Sequence, residues 1–153
     1  MIVIITPDKL KEIAAQLDMG MHCFYHILSG ELATYPDGLR MEGETDDPIW
    51  DEAKDKVSQN IDSYLAFEAM DSHESMKVIR VFIASIGDDD IRLRFEDAVS
   101  YKKPFQNFKQ LLTNYMHLRA QWFVYKDEQY IAHVKEQLDF FNRREVHEID
   151  GVE

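Results

Sequence analysis

A chain of 153 residues, 45% of them apolar, has the size of one domain and enough apolar side chains for one continuous core. Its formal net charge of -12, from 29 Asp and Glu against 17 Lys and Arg, favours solubility and repels polyanions at long range, which disfavours nucleic acid as a partner. Cys23 is the only cysteine, which excludes an intrachain disulfide and a thiolate-held zinc or iron–sulfur centre, and no apolar run approaches the roughly 18 residues that cross a bilayer.

Met1-Ile2-Val3-Ile4-Ile5 is cut short by Thr6-Pro7-Asp8 before the apolar core of a signal peptide can form, so the expected location is the cytoplasm. Thr6-Pro7 starts a helix: the hydroxyl caps free amides, and proline at the first helical position sacrifices no intrahelical bond. Leu10, Ile13, Ala14 and Leu17 recur at helical spacing up to Gly20, giving a first helix over about residues 7–18. Met21 to Leu28 and Glu31 to Tyr35 are rich in aromatic and apolar residues around Ser29-Gly30, the pattern of a hairpin. Residues 36–48 have turn composition and no period, which predicts an exposed loop.

Helix resumes near Pro48 and runs to about Gln59, and Tyr64 to Phe67 supply a third strand. Asp71-Ser72-His73-Glu74 is a helix entry, with Asp71 as cap and Glu74 reaching back in a capping box. Met76, Ile79, Phe82, Ile83 and Ile86 form the buried stripe of that helix. Gly87 and the aspartates 88–90 open another helix, with Ile91, Phe95, Ala98 and Val99 inward. Pro104 starts the next, and a long terminal helix from about Leu118 to Asn142 carries Phe123, Tyr130, Val134, Leu138 and Phe141 as its stripe. The expectation is an α+β fold: a small antiparallel sheet, a hairpin plus one or two strands with Ile2 to Ile5 as the optional fourth, packed with about five or six amphipathic helices. The carboxy-terminal half is mostly helical, residues 1–142 form a single domain, and residues 143–153 form a partly ordered tail that has little to bury.

Chemistry-bearing motifs are few. His22 and His26 on a strand lie about 13 Å apart by strand rise, too far for one metal ion. Position 77 is Lys where a zinc-protease helix beginning His73-Glu74 requires a second His. The six glycines are isolated, with no phosphate-binding loop, and no Gly-x-Ser-x-Gly elbow occurs, so the sequence points to no catalytic residue, metal or cofactor. Charge is unevenly placed, however. Residues 36–55 carry eight acids and two bases, net -6, whereas residues 91–126 carry seven bases and two acids, net +5. The basic stretch interleaves cations with rings, and Lys102, Lys103, Lys109, Arg119, Trp122 and Lys126 are its candidate binding residues. Such a surface suits an acidic protein partner or a second copy of the chain, and single-stranded nucleic acid is the alternative, held by stacking on Trp122. A third reading places an enzyme site near His73 and Glu74.

Lys103-Pro104-Phe105-x-x-Phe108-Lys109 followed by Gln121-Trp122-Phe123-x-Tyr125-Lys126-Asp127-Glu128 resembles the closing signature of an uncharacterised bacterial family, one catalogued as a family of unknown function (UPF). Ser29-Gly30-Glu31 and Asp71-x-His73-Glu74 are similar to its pattern as well. The resemblance spans roughly residues 6–140 and implies a bacterial cytosolic protein. It brings no catalytic or binding residues with it.

Overall fold

The computed structural model describes the backbone of residues 2–40 and 47–151 and the side chains of these residues as far as Arg144. The centre of the acidic loop expected at 36–48 therefore lies outside the described residues. The fold is α+β, with a three-stranded antiparallel sheet and a mostly helical carboxy-terminal half. The chain divides into two compact units, one of residues 1–69 and 130–153 and one of residues 70–129.

The first unit begins with helix α1 (Pro7–Asp18), where the Thr6 hydroxyl accepts from the Lys9 amide at 3.3 Å and Pro7 occupies the first turn. Leu10, Ile13, Ala14 and Leu17 are its buried residues, as their spacing requires, and α1 packs on strand β1 (Met21–His26). Gly20 joins the two with a φ of 94°, a left-handed conformation that glycine adopts without a Cβ clash. Strand β2 (Leu32–Pro36) pairs with β1 in the register His22 to Tyr35 and Phe24 to Ala33. Strand β1 is shorter than the expected Met21 to Leu28, because the turn uses Ile27 to Gly30: the Gly30 amide donates to the His26 carbonyl at 2.9 Å, and the Ser29 amide donates to His26 Nδ1 at 3.0 Å. After a 3-10 turn at Pro48–Trp50, helix α2 (Asp51–Gln59) packs beside β2. Strand β3 (Tyr64–Phe67) then closes the sheet on the other side of β1, giving the order β2-β1-β3.

Alternation along β1 sorts the faces: Met21, Cys23 and Tyr25 are buried, whereas His22, Phe24 and His26 are half-buried. Ile2 to Ile5 do not join the sheet. Instead the Asn142 side chain does for Val3 what a neighbouring strand would do: its Oδ1 accepts from the Val3 amide at 2.9 Å, and its Nδ2 donates to the Val3 carbonyl at 2.9 Å. Gln137 repeats the device at Glu68, with Oε1 accepting from the amide at 2.8 Å and Nε2 donating to the carbonyl at 2.9 Å. Removing such an amide strips a partner from two backbone groups at once. Asn142→Ala is expected to cost about 1–3 kcal/mol in urea-induced unfolding, and a loss under about 0.5 kcal/mol would show that water replaces the amide without penalty.

The second unit is helical. Asp71 caps α3 (Ser72–Ala84) in the expected box, accepting from the Glu74 amide at 2.7 Å while Glu74 Oε1 accepts from the Asp71 amide at 3.2 Å. Asp88 caps α4 (Asp89–Val99), and Pro104 opens α5 (Pro104–Leu112). Ile79, Phe82, Ile83, Ile86, Phe95, Phe108, Leu112 and Trp122 form one buried cluster. Helix α6 (Met116–Gly151) supplies Trp122 here and buries Tyr130, Val134 and Leu138 in the first unit. It runs past Asn142, where the apolar stripe had placed its end.

Candidate functional site

The basic stretch falls wholly in the 70–129 unit. The loop ahead of α5 is held by Asn107, whose side-chain amide donates to the carbonyls of Ala98 and Lys102 at 2.9 and 3.0 Å, while its backbone amide donates to the Lys103 carbonyl at 3.0 Å. Lys103 consequently sits at φ 59°, a left-handed conformation costly for a residue with a Cβ, directly before Pro104. The side chains of Lys102 and Lys103 are exposed, as is Lys109 on α5.

Trp122 is not part of this surface. Only 6% of it is accessible, and its ring lies edge-on to Phe108 at 4.9 Å and to Phe82 at 5.2 Å. The reading that gave Trp122 a stacking role is corrected by that burial: the core formed by α3, α4 and α5 claims its large ring. The neighbouring ring takes the outward position. Phe123, assigned by spacing to the inner stripe, is 39% accessible. Arg119 lies over it at 4.7 Å from the guanidinium carbon to the ring centroid, and Lys126 lies over it at 5.3 Å from Nζ. These residues stand four before and three after Phe123, the separations that bring helical side chains together. Each cation over a ring contributes roughly 0.5–1 kcal/mol at an exposed site, enough to favour this arrangement before any ligand arrives.

Among the described residues, Lys102, Lys103, Lys109 and Arg119 form no ion pair with a carboxylate, while Arg92 bridges to Asp89 at 2.8 Å and to Glu96 at 3.7 Å. Arg94 donates to the Tyr115 hydroxyl at 2.6 Å. The structure thus brings Arg119, Phe123 and Lys126 together as one cation–ring cluster and shows Lys102, Lys103 and Lys109 as exposed charges of the same unit. Sequence reasoning passed over Phe123 because Trp122 and Phe123 are adjacent and each fits an apolar stripe. The cations do not separate them, since Arg119 and Lys126 stand three before and four after Trp122 as well as four before and three after Phe123; Phe82 and Phe108, which take the Trp122 ring into the core, do.

Other chemistry-bearing groups do not converge. Glu74 is taken up by the helix cap, and exposed His73 lines a groove of α3 with Met76, Lys77, Arg80, Val81 and Ala84, among which there is no carboxylate, hydroxyl or thiol. On the sheet, His22 Nε2 lies 3.8 Å from Asp37 Oδ1 and its ring 5.0 Å from Tyr35. No three His, Cys, Asp or Glu side chains among the described residues gather closely enough to hold a metal ion. Cys23, 1% accessible, has its thiol pushed up to about 12 from an ordinary 9.0 by burial, with the Glu12 carboxylate adding to the effect and Lys9 opposing it. A thiol so held is protonated at neutral pH and is no nucleophile.

No described helix is long and apolar enough to cross a membrane. A family model matches residues 3–150, and the chain belongs to that uncharacterised protein family, UPF0158, in agreement with the resemblance seen in its sequence. Neither a curated protein nor a solved structure matches it.

Proposed function

We propose that this member of UPF0158 is a non-enzymatic interaction domain of the bacterial cytosol, and that its cationic face around Phe123 takes an acidic segment of a protein partner. The observation that carries this reading is the exposed Phe123 ring bracketed by Arg119 and Lys126 in a chain of net charge -12. A ring between two cations offers an acidic peptide apolar contact and charge in one place, and the exposed lysines 102, 103 and 109 add to the field that steers it. Charged groups of this kind act chiefly on association rate and specificity, so the interaction weakens with salt. The single cysteine, buried and protonated, suits a reducing compartment. Stacking of unpaired bases is less well supported, because the largest ring of the stretch lies in the core.

Fluorescence anisotropy with a labelled polyglutamate peptide tests the proposal. The wild-type chain should bind it at low salt, and the combined Lys102→Glu, Lys103→Glu and Arg119→Glu variant should bind about tenfold or more weakly while keeping its thermal transition. Unchanged affinity in that variant, or binding of oligouridylate in preference to the peptide, would contradict the assignment.

A further inference from the structure

The exposed side of α3 carries a second surface, made by residues outside the Phe123 cluster. His73, Met76, Lys77, Arg80, Val81 and Ala84 line a groove of about 300 Å³. At about 100° per residue these six positions cover roughly 140° of the helix circumference. Arg80, His73, Ala84 and Lys77 fall along its centre line, with Met76 on one shoulder and Val81 on the other. Met76 is half-buried and packs against the apolar cluster of the unit, whereas Val81 is 53% accessible. Ala84 leaves the carboxy-terminal end of the centre line low. From His73 to Ala84 the groove follows α3 for about 16 Å, three helical turns.

The charge of this stripe is one-sided. In a chain with 29 acids and 17 bases, α3 has Glu74 as its only acid, and Glu74 reaches back to the Asp71 amide. Among the described residues neither Lys77 nor Arg80 pairs with a carboxylate, and the two stand three apart, a like-charge spacing that costs a helix a few tenths of a kcal/mol. No acid stands between Lys77 and Arg80 on α3, and an acidic partner laid along this face would relieve their repulsion.

We infer that the α3 groove is a docking site for an acidic amphipathic helix of a partner protein. The partner's carboxylates would meet His73, Lys77 and Arg80 along the centre line, and its apolar side chains would cover Met76 and Val81. Charge complementarity names the occupant's sign, and a groove that follows α3 for three turns matches the length of a partner helix. This inference does not depend on the Phe123 cluster, and its test keeps the two apart.

The probe is a labelled, helix-forming peptide with glutamates along one face flanked by leucines, alongside a version with glutamine in place of glutamate. The groove predicts saturable binding of the glutamate peptide to the full chain and about tenfold weaker binding of the glutamine version. With the Phe123 cluster disabled by Arg119→Glu, it also predicts about a tenfold further loss on adding Lys77→Glu and Arg80→Glu, and a loss on adding Val81→Asp. All four substituted positions are exposed, and circular dichroism confirms that the variants are folded. Equal binding by the Arg119→Glu chain with and without Lys77→Glu and Arg80→Glu, or absence of peptide binding to that chain beside binding to anionic lipid vesicles or oligouridylate, would each overturn the groove.

Discussion

Trp122→Ala is expected to destabilise the 70–129 unit by about 3–5 kcal/mol, whereas Phe123→Ala, one residue away, is expected to cost no more than about 1–2 kcal/mol, the worth of its two cation contacts. The two rings differ in what surrounds them. Trp122 touches Phe82, Phe108 and Tyr125, with ring centroids at 5.2, 4.9 and 6.3 Å, so truncation removes a large buried area and leaves a cavity among rigid aromatic walls. Phe95, fully enclosed, lies 5.7 Å from Phe108 and shares the same packing, so the cavity would be felt across α4 as well. Phe123 gives up mainly its contacts with Arg119 and Lys126. The functional order is reversed: Phe123→Ala should weaken acidic-peptide binding in a folded protein, while Trp122→Ala should affect binding only through loss of fold. Urea unfolding followed by far-ultraviolet circular dichroism checks the first half, and a Trp122→Ala protein as stable as wild type would contradict the core described for this unit.

The second large effect is alkaline. In the folded chain burial holds the Cys23 thiol protonated up to about 12, whereas an unfolded chain ionises it near 9.0. Because the folded value is the higher one, the stabilising contribution is complete below pH 9 and is lost as pH rises toward 12, at about 1.4 kcal/mol per pH unit for one proton. Tyr35 is raised as well, by burial and by the nearby Asp37 carboxylate, and adds in the same direction; being half-exposed, it adds less. Unfolding free energies measured from pH 7 to 11 should therefore be level in this respect up to about 9 and fall beyond it, with a shallower fall in Cys23→Ala. The same burial predicts that Ellman's reagent labels the native protein at the rate of unfolding and not at that of a free thiol. Rapid labelling at pH 8 would place Cys23 outside the interior.

Much of the fold was legible because its signals are local. Thr6-Pro7 and Asp71 with Glu74 set helix starts through groups within three residues of each other, and Tyr64 to Phe67 reads as a strand from composition. What could not be read depends on distant partners. Strand β1 ends two residues early because the His26 imidazole accepts from the Ser29 amide, a side-chain contact that β propensity does not register. Ile2 to Ile5 have the composition of a strand, yet Val3 meets the Asn142 amide across 139 positions of sequence. The candidate site failed at one residue for the same reason. On α6 the apolar positions support either Trp122 or Phe123 as the inward ring, and Phe82 and Phe108, on two other helices, decide between them. The cations were legible as a group, since charge is not moved by helix phase; which ring they surround was not.

The proposed function places acidic polypeptide on the outward Phe123 ring between Arg119 and Lys126. Amide chemical shifts of the isotope-labelled full chain, followed during titration with polyglutamate at low salt, examine that directly. The largest changes should fall at residues 119–126, with smaller ones at 102–109, and should shrink together in Phe123→Ala and Arg119→Glu. Changes centred on any other part of the chain, or a spectrum indifferent to the peptide, would contradict it.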